Sequence, residues 1–345
     1  MDSVGTLRSR LALPQRAAEV AAALVEGWDG QVPVIDPTAY ASSDEAVYVY
    51  RQRRDGGSHL GLVVEVRRDA VAAGRLRGHE AVFPERVESL ARHLETGHPR
   101  TSLVSALHDA GPAYRRVIAT ATAERPALEV TTADGGEHTL WRVGDEAAAA
   151  VTAELADPVL YIADGHHRVA ATRLFWDSDA GCGAAGLAVV VYPLGGLRLE
   201  PFHRVVPGPV PRERLDLLQD RLRASYDVTE VGAAPTPRTG QVAMYADGRW
   251  LLATSCERPR LGVEGLDAVL LERRVLAPSG AWPTLPVRAP LSELARRCDT
   301  DGSVLFALAP PALSTLTQIA DCGEVMPAKT TSFQPKPVSG LLLSE

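Results

Sequence analysis

The side chains best suited to chemistry in this 345-residue chain occupy five consecutive positions, Asp164-Gly165-His166-His167-Arg168. They supply an anionic acceptor, two imidazoles that can carry protons and one fixed cation. The block follows a short apolar run, Val159 to Ala163, whose β-branched and aromatic content predicts a buried strand. After it, Val169, Ala170, Leu174 and Phe175 recur at intervals that suit one face of a helix. The cluster therefore falls on a strand-to-helix turn. Free backbone N–H groups and the positive helix end favour an anion there, phosphate above all. Gly165 lets the backbone approach a ligand closely, and the planar fork of Arg168 matches phosphate. Asp-Gly alone is an ordinary turn dipeptide. The whole block after an apolar strand is what points to function.

Other candidates are weaker in isolation. A lone His79-Glu80 pair reads as solvated surface, although Glu80 is the kind of carboxylate that takes a proton from an attacking hydroxyl. Arg204 suits a phosphate, a substrate carboxylate or an ordinary salt bridge. Lys329, Thr330, Thr331 and Lys336 sit in a proline-rich stretch, read either as a phosphate-binding loop or as a rigid surface loop. Asp164, His166 and His167 are metal-ligand types, but adjacent histidines on a turn seldom face one ion, and no His-x-x-x-His partner is present. No G-x-x-x-x-G-K-[ST] occurs, and the G-x-G-x-x-G at Gly181–Gly186 precedes an expected strand instead of leading from a strand into a helix, which disfavours P-loop and dinucleotide chemistry.

Tyr161-Ile-Ala-Asp-Gly-His-His-Arg168, followed by an Ala-rich helix, resembles the signature of domain-of-unknown-function family 1015 (DUF1015). That family is related to SerK-like free serine kinases and shares a ParB/sulfiredoxin-type nucleotide fold. Met326 to Lys336, running into Ser339-Gly-Leu341, resembles the family's C-terminal segment, and His138–Val143 and Phe202–Val205 also fit. The resemblance extends from about Val47 to the C-terminus. Two departures stand out. An Ala-Pro-Pro-Tyr-Asp-Val segment near the start has at best a remnant at Val32 to Pro37, and the His79-Glu80 motif has Gly78, Ala81 and Val82 in place of proline, arginine and threonine.

The resemblance implies a small-molecule kinase. It would transfer a phosphoryl group from ATP or ADP, with Mg²⁺, to the hydroxyl of free serine or a related amino acid. Glu80 would be the base, Asp164 and His166 would complete the catalytic set, and Asp164 would also place the metal. His79, Gly165, His167, Arg168, Arg204, Lys329, Thr330, Thr331 and Lys336 would hold the nucleotide. The replaced neighbours of Glu80 motivate an alternative: a catalytically inactive, nucleotide-responsive binding or regulatory protein.

The positioning elements predict an α+β fold with mixed sheets, because strands and hairpins are too frequent for regular βαβ alternation. The resemblance adds a ParB/sulfiredoxin-like nucleotide-binding core with further α/β elements. The expected organisation is a divergent segment over 1–45, a core over 46–206 and a C-terminal α/β region over 207–345 that folds back on the core, or one continuous domain. Val47–Tyr50 and Leu60–Val66 form a hairpin around Asp55-Gly56-Gly57, and Thr131–Val143 carries a turn at Asp134-Gly135-Gly136. Helices are expected near 17–25, ended by Gly27 and Gly30, over 84–107 with a break at His98-Pro99, and at 145–155, 215–222, 264–276 and 312–320. Further strands are expected at 186–192, 241–245, 249–253 and 304–308.

A net charge of -7 argues against nucleic acid or an anionic membrane as partner. The cysteines, Cys182, Cys256, Cys298 and Cys322, form no C-x-x-C pair and fit a reducing cytoplasm. No apolar stretch suits a signal peptide or a membrane span. A nucleotide and a small amino acid are the expected partners, and the oligomeric state is open.

Overall fold

The computed structural model describes residues 3–25, 35–98, 100–181, 184, 186–257, 261–280 and 284–344. Gly27, Gly30, Val32 to Val34, Pro99 and Cys182 lie outside them. The chain divides into two compact units. The first comprises Met1–Gly78, Val82–Arg198 and Phe333–Glu345; the second comprises His79–Ala81 and Leu199–Ser332.

The first unit is built on a mixed sheet, with strands in the order 76–77, 160–164, 104–108, 187–193, 57–66, 48–54, 137–142 and 128–131; the short strand 4–5 also pairs with 57–66. The 160–164 strand runs parallel to 76–77 and antiparallel to 104–108, which is parallel to 187–193. One face carries Val49, Leu62, Val64, Val104, Ala106 and Val189 into a core with Tyr114, Val151, Val169 and Phe175 from the helices above. The other alternating positions include Tyr50, Gln52, Ser105 and Tyr192. The hairpin at Asp55-Gly56 turns with both residues at positive φ, the geometry that two-residue connections favour.

Two local expectations need correction. The helix predicted over 84–107 ends at Glu95, and Val104–His108 is an internal strand. A five-residue run buried on both faces has no burial period that separates strand from helix. The segment Glu264–Leu276 is not one α-helix. It is a 3₁₀ turn (Val263–Gly265), a short α-helix (Asp267–Leu271) and a π-helical turn (Glu272–Leu276). The 17–25 and 145–155 helices form as expected.

The second unit has an antiparallel sheet ordered 227–231, 249–254, 241–246, 304–308, 203–206 and 285–287. Val242, Met244 and Phe306 pack on Leu215, Leu218 and Leu222 of the helix Arg212–Ser225. Ala243, Tyr245 and Leu305 pack on Leu294 and Cys298 of the helix Leu291–Asp301. The period-2 pattern thus sends alternate residues into two helical layers. The mixed α and β architecture matches the expectation. Among the described residues the cysteines are free, and no helix is long and apolar enough to cross a membrane.

Candidate functional site

In the first unit the strand Leu160–Asp164 passes through Gly165 into the helix His166–Trp176. Gly165 has φ 102, a left-handed conformation that a side chain would strain, and an added Cβ would lie 3.0 Å from Val104 Cγ2. The N-cap residue of this helix is Gly165, which has no side chain to cap it.

A register shift between Ile162 and Asp164 decides where the carboxylate points. Ile162 pairs with Ala106 on the helix-covered face, whereas Asp164 pairs with Ser105 on the other. Simple alternation would have buried Asp164 among the core aliphatics; the bulge re-aims it. Its Oδ2 accepts Arg168 Nη2 at 2.5 Å, and its Oδ1 meets Lys336 Nζ at 2.6 Å. Burial alone would raise this carboxyl, but the two cations outweigh it and hold the group below its usual range. Arg168 also donates through Nη1 to the Leu103 carbonyl at 2.6 Å. Its guanidinium is therefore fixed by the protein rather than held open as a free fork.

The two histidines differ. His167 accepts the Phe83 N–H at Nε2, 3.0 Å, with the rings stacked at 5.6 Å, which makes Nδ1 the protonated nitrogen of the neutral ring. His166 lies against Gly78, where an added Cβ would come within 3.0 Å of its ring. Glycine at that position makes room for the imidazole.

Residues with no motif signal hold the C-terminal cation. Gln52 Nε2 donates to the Lys336 carbonyl at 2.7 Å, and Tyr192 Oη donates to Gln52 Oε1 at 2.5 Å. Tyr50 Oη contacts His138 Nδ1 at 2.8 Å and accepts the Val338 N–H at 3.3 Å. Ser105, paired with Asp164, is buried and its hydroxyl has no hydrogen-bond partner among the described residues. The signal available in the sequence was the Tyr48-x-Tyr50-x-Gln52 alternation, which marks one strand face.

The remaining candidates belong to the second unit. Glu80 bridges Met326, Met326 N–H donates to the His79 carbonyl at 2.8 Å, and Glu80 Oε1 accepts the Lys329 N–H at 3.2 Å. His79 is buried, which pulls its imidazole down to about 4 and keeps it neutral at pH 7. Lys329 has φ 59, an uncommon backbone region for a side-chain-bearing residue, and its ammonium lies 5.6 Å from the Phe202 ring centroid. Thr330 Oγ1 donates to the Pro327 carbonyl at 2.6 Å, and Thr331 is buried. Arg204 donates to the carbonyls of Phe202 and His203 at 3.3 and 3.4 Å. The residues around Asp164 thus converge within one unit, and those around Glu80 within the other.

The resemblance implies Mg²⁺. Among the described residues no three His, Cys, Asp or Glu side chains stand together to hold a metal. Both Asp164 oxygens already face cations. The arrangement does not fit an ion held by protein side chains alone.

Fold and site together define a mixed α/β protein with a cation-flanked strand-to-helix turn. The chain belongs to the family described as Protein of unknown function (DUF1015), which matches residues 40–271. No curated protein sequence matches it. Among solved structures it is similar to SbnI with C-terminal truncation from Staphylococcus aureus, at 13% identity and TM-score 0.43, covering 82% of this chain and 87% of that one. A free serine kinase in complex with AMP is similar at 13% identity and TM-score 0.43, covering 81% and 92%. A conserved hypothetical protein from Pyrococcus furiosus is similar at 14% identity and TM-score 0.40, covering 81% and 95%.

Proposed function

We propose that the chain binds nucleotide phosphates at the Asp164–Arg168 turn and acts as a phosphotransferase to the hydroxyl of free serine or a similar small amino acid. The observation that carries the reading is the convergence of Arg168, Lys336 and a helix start on one turn. Two cations and a positive helix end form a phosphate cradle, and phosphoryl transfer depends mainly on positioning and charge neutralisation. Asp164 then acts as a placeholder that keeps both cations aimed at the turn until phosphate oxygens share them. Mg²⁺ would enter with the nucleotide, as part of the substrate.

Glu80 is proposed as the base, on chemical grounds. The attacking alcohol must lose a proton, and Arg168 and Lys336 cannot accept it. The motif resemblance around Tyr161–Arg168 and Met326–Lys336 supports the same reaction class.

The test is calorimetric titration with ATP and ADP, followed by a coupled assay with a panel of amino-acid alcohols. Arg168→Ala should weaken nucleotide binding by about 1–3 kcal/mol, the worth of a charged hydrogen-bond donor. Glu80→Gln should keep nucleotide affinity and lose turnover by roughly 10²–10⁴. No nucleotide binding to the unaltered protein would overturn the reading. Binding without transfer to any alcohol would favour the regulatory alternative, which the replaced neighbours Gly78, Ala81 and Val82 motivate.

A further inference from the structure

Ser105 is a buried group beside the turn that the proposed function does not use. It is the second residue of the strand Val104–His108 and is 1% exposed, and its hydroxyl has no hydrogen-bond partner among the described residues. An O–H shut away from water without an acceptor is destabilising, and most buried hydroxyls find a partner. Its presence here calls for a reason.

The strand register supplies one. Asp164 is the cross-strand partner of Ser105, and the bulge after Ile162 puts the two side chains on the same face of the sheet. Directly opposite residues of an antiparallel pair have Cβ atoms about 4.5–5.5 Å apart, close enough for a hydroxyl to reach a carboxylate. The Asp164 carboxylate is drawn elsewhere: Oδ2 to Arg168 Nη2 at 2.5 Å and Oδ1 to Lys336 Nζ at 2.6 Å. A phosphate group in reach of those two cations competes for the same N–H donors and repels the carboxylate by its like charge. Asp164, with its side chain only 21% exposed, then needs another donor. Ser105 has one to give.

We infer that Ser105 is a positioning residue that takes over the Asp164 carboxylate when an anion takes over its cations. The inference rests on the phosphate-binding reading of the turn and adds how the turn makes room for its ligand. The Asp164 side chain rotates from Arg168 and Lys336 towards Ser105, whose O–H donates to it, while both residues stay in their strands. Ser105 touches no ligand and acts through Asp164. This accounts for a donor that is orphaned in the unliganded protein.

The test combines thermal melting of the unliganded full chain with calorimetric titration by ATP, ADP and inorganic pyrophosphate. Ser105→Ala should melt at the wild-type temperature or above it, because no hydrogen bond is lost and an unpaired hydroxyl is removed. Its ATP affinity should nevertheless fall at least fivefold. In an Asp164→Asn background the same substitution should weaken ATP less than twofold, since the carboxylate that the hydroxyl serves is gone. Near-ultraviolet circular dichroism checks that every variant is folded. A smaller loss of affinity in Ser105→Ala overturns the inference. So does a lower melting temperature, which would make the hydroxyl a structural group of the unliganded fold. A larger loss in the Asp164→Asn background also overturns it, because the hydroxyl would then meet the ligand itself. Loss of ATP binding in Asp164→Asn alone would show that the carboxylate is needed at the ligand, which likewise ends the exchange. If the unaltered protein binds none of the three probes, the proposed function fails and the inference with it. Binding by the unaltered protein with Ser105→Ala unaffected ends the inference alone.

Discussion

Replacing Asp164 by Asn keeps the side-chain shape and removes the charge that two cations share. The wild-type carboxylate lies 2.5 Å from Arg168 and 2.6 Å from Lys336, with side chains 21%, 28% and 52% exposed respectively. Removing one partner of a fully buried ion pair costs about 3–5 kcal/mol, because the other charge is left uncompensated. Here Lys336 is half exposed and can rehydrate, while Arg168 retains the Leu103 carbonyl. The expected loss is therefore about 2 kcal/mol at low salt. For a unit of roughly 200 residues that corresponds to about 4–8 °C in Tm.

The pH dependence is a second measure. The native carboxyl titrates below its unfolded value, so its contribution is present above that value and is lost as pH falls through the native pKa. Thermal melts of wild type and variant should differ fully at pH 7 and converge below about pH 4. Equal melting temperatures at pH 7, or a gap as wide at about pH 3, would refute the assignment of Asp164 as the anchor of this cluster.

Gly165→Ala should cost about 1–3 kcal/mol, since the residue would keep a left-handed φ with its Cβ against Val104; an unchanged denaturation midpoint would show that the turn relaxes freely. His108 is fully buried beside Tyr114, and burial pulls its imidazole down to about 4 against the opposing charges of Glu154 and Asp109. The fold therefore loses stability as pH drops from about 6.5 towards 4, by up to about 3 kcal/mol from this group. His108→Phe should flatten that part of the stability–pH curve. Tyr192→Phe removes the donor to Gln52 Oε1 and should destabilise by about 1–2 kcal/mol in urea titration, with Lys336 less firmly held.

The strand-turn-helix at 160–176 was legible because local rules define each part: an apolar run, a turn glycine and a helical period. The Asp55-Gly56 hairpin and the 145–155 helix were legible for the same reason. The strand at Val104–His108 was not, since a run buried on both faces loses the alternation that would mark it. The site divides in the same way. Residue types at Asp164 and Arg168, four apart across the start of a helix, marked the turn proposed to bind phosphate.

Only the tertiary structure decided that the bulge after Ile162 turns Asp164 to the Ser105 face. It also brought Lys336, near the far end of the sequence, to 2.6 Å from Asp164, with Gln52 and Tyr192 behind it. Local sequence encodes backbone preference and burial period. The partner of a charge is chosen by strand register and by the packing of segments far apart in the chain, and neither leaves a periodic trace in the residues themselves.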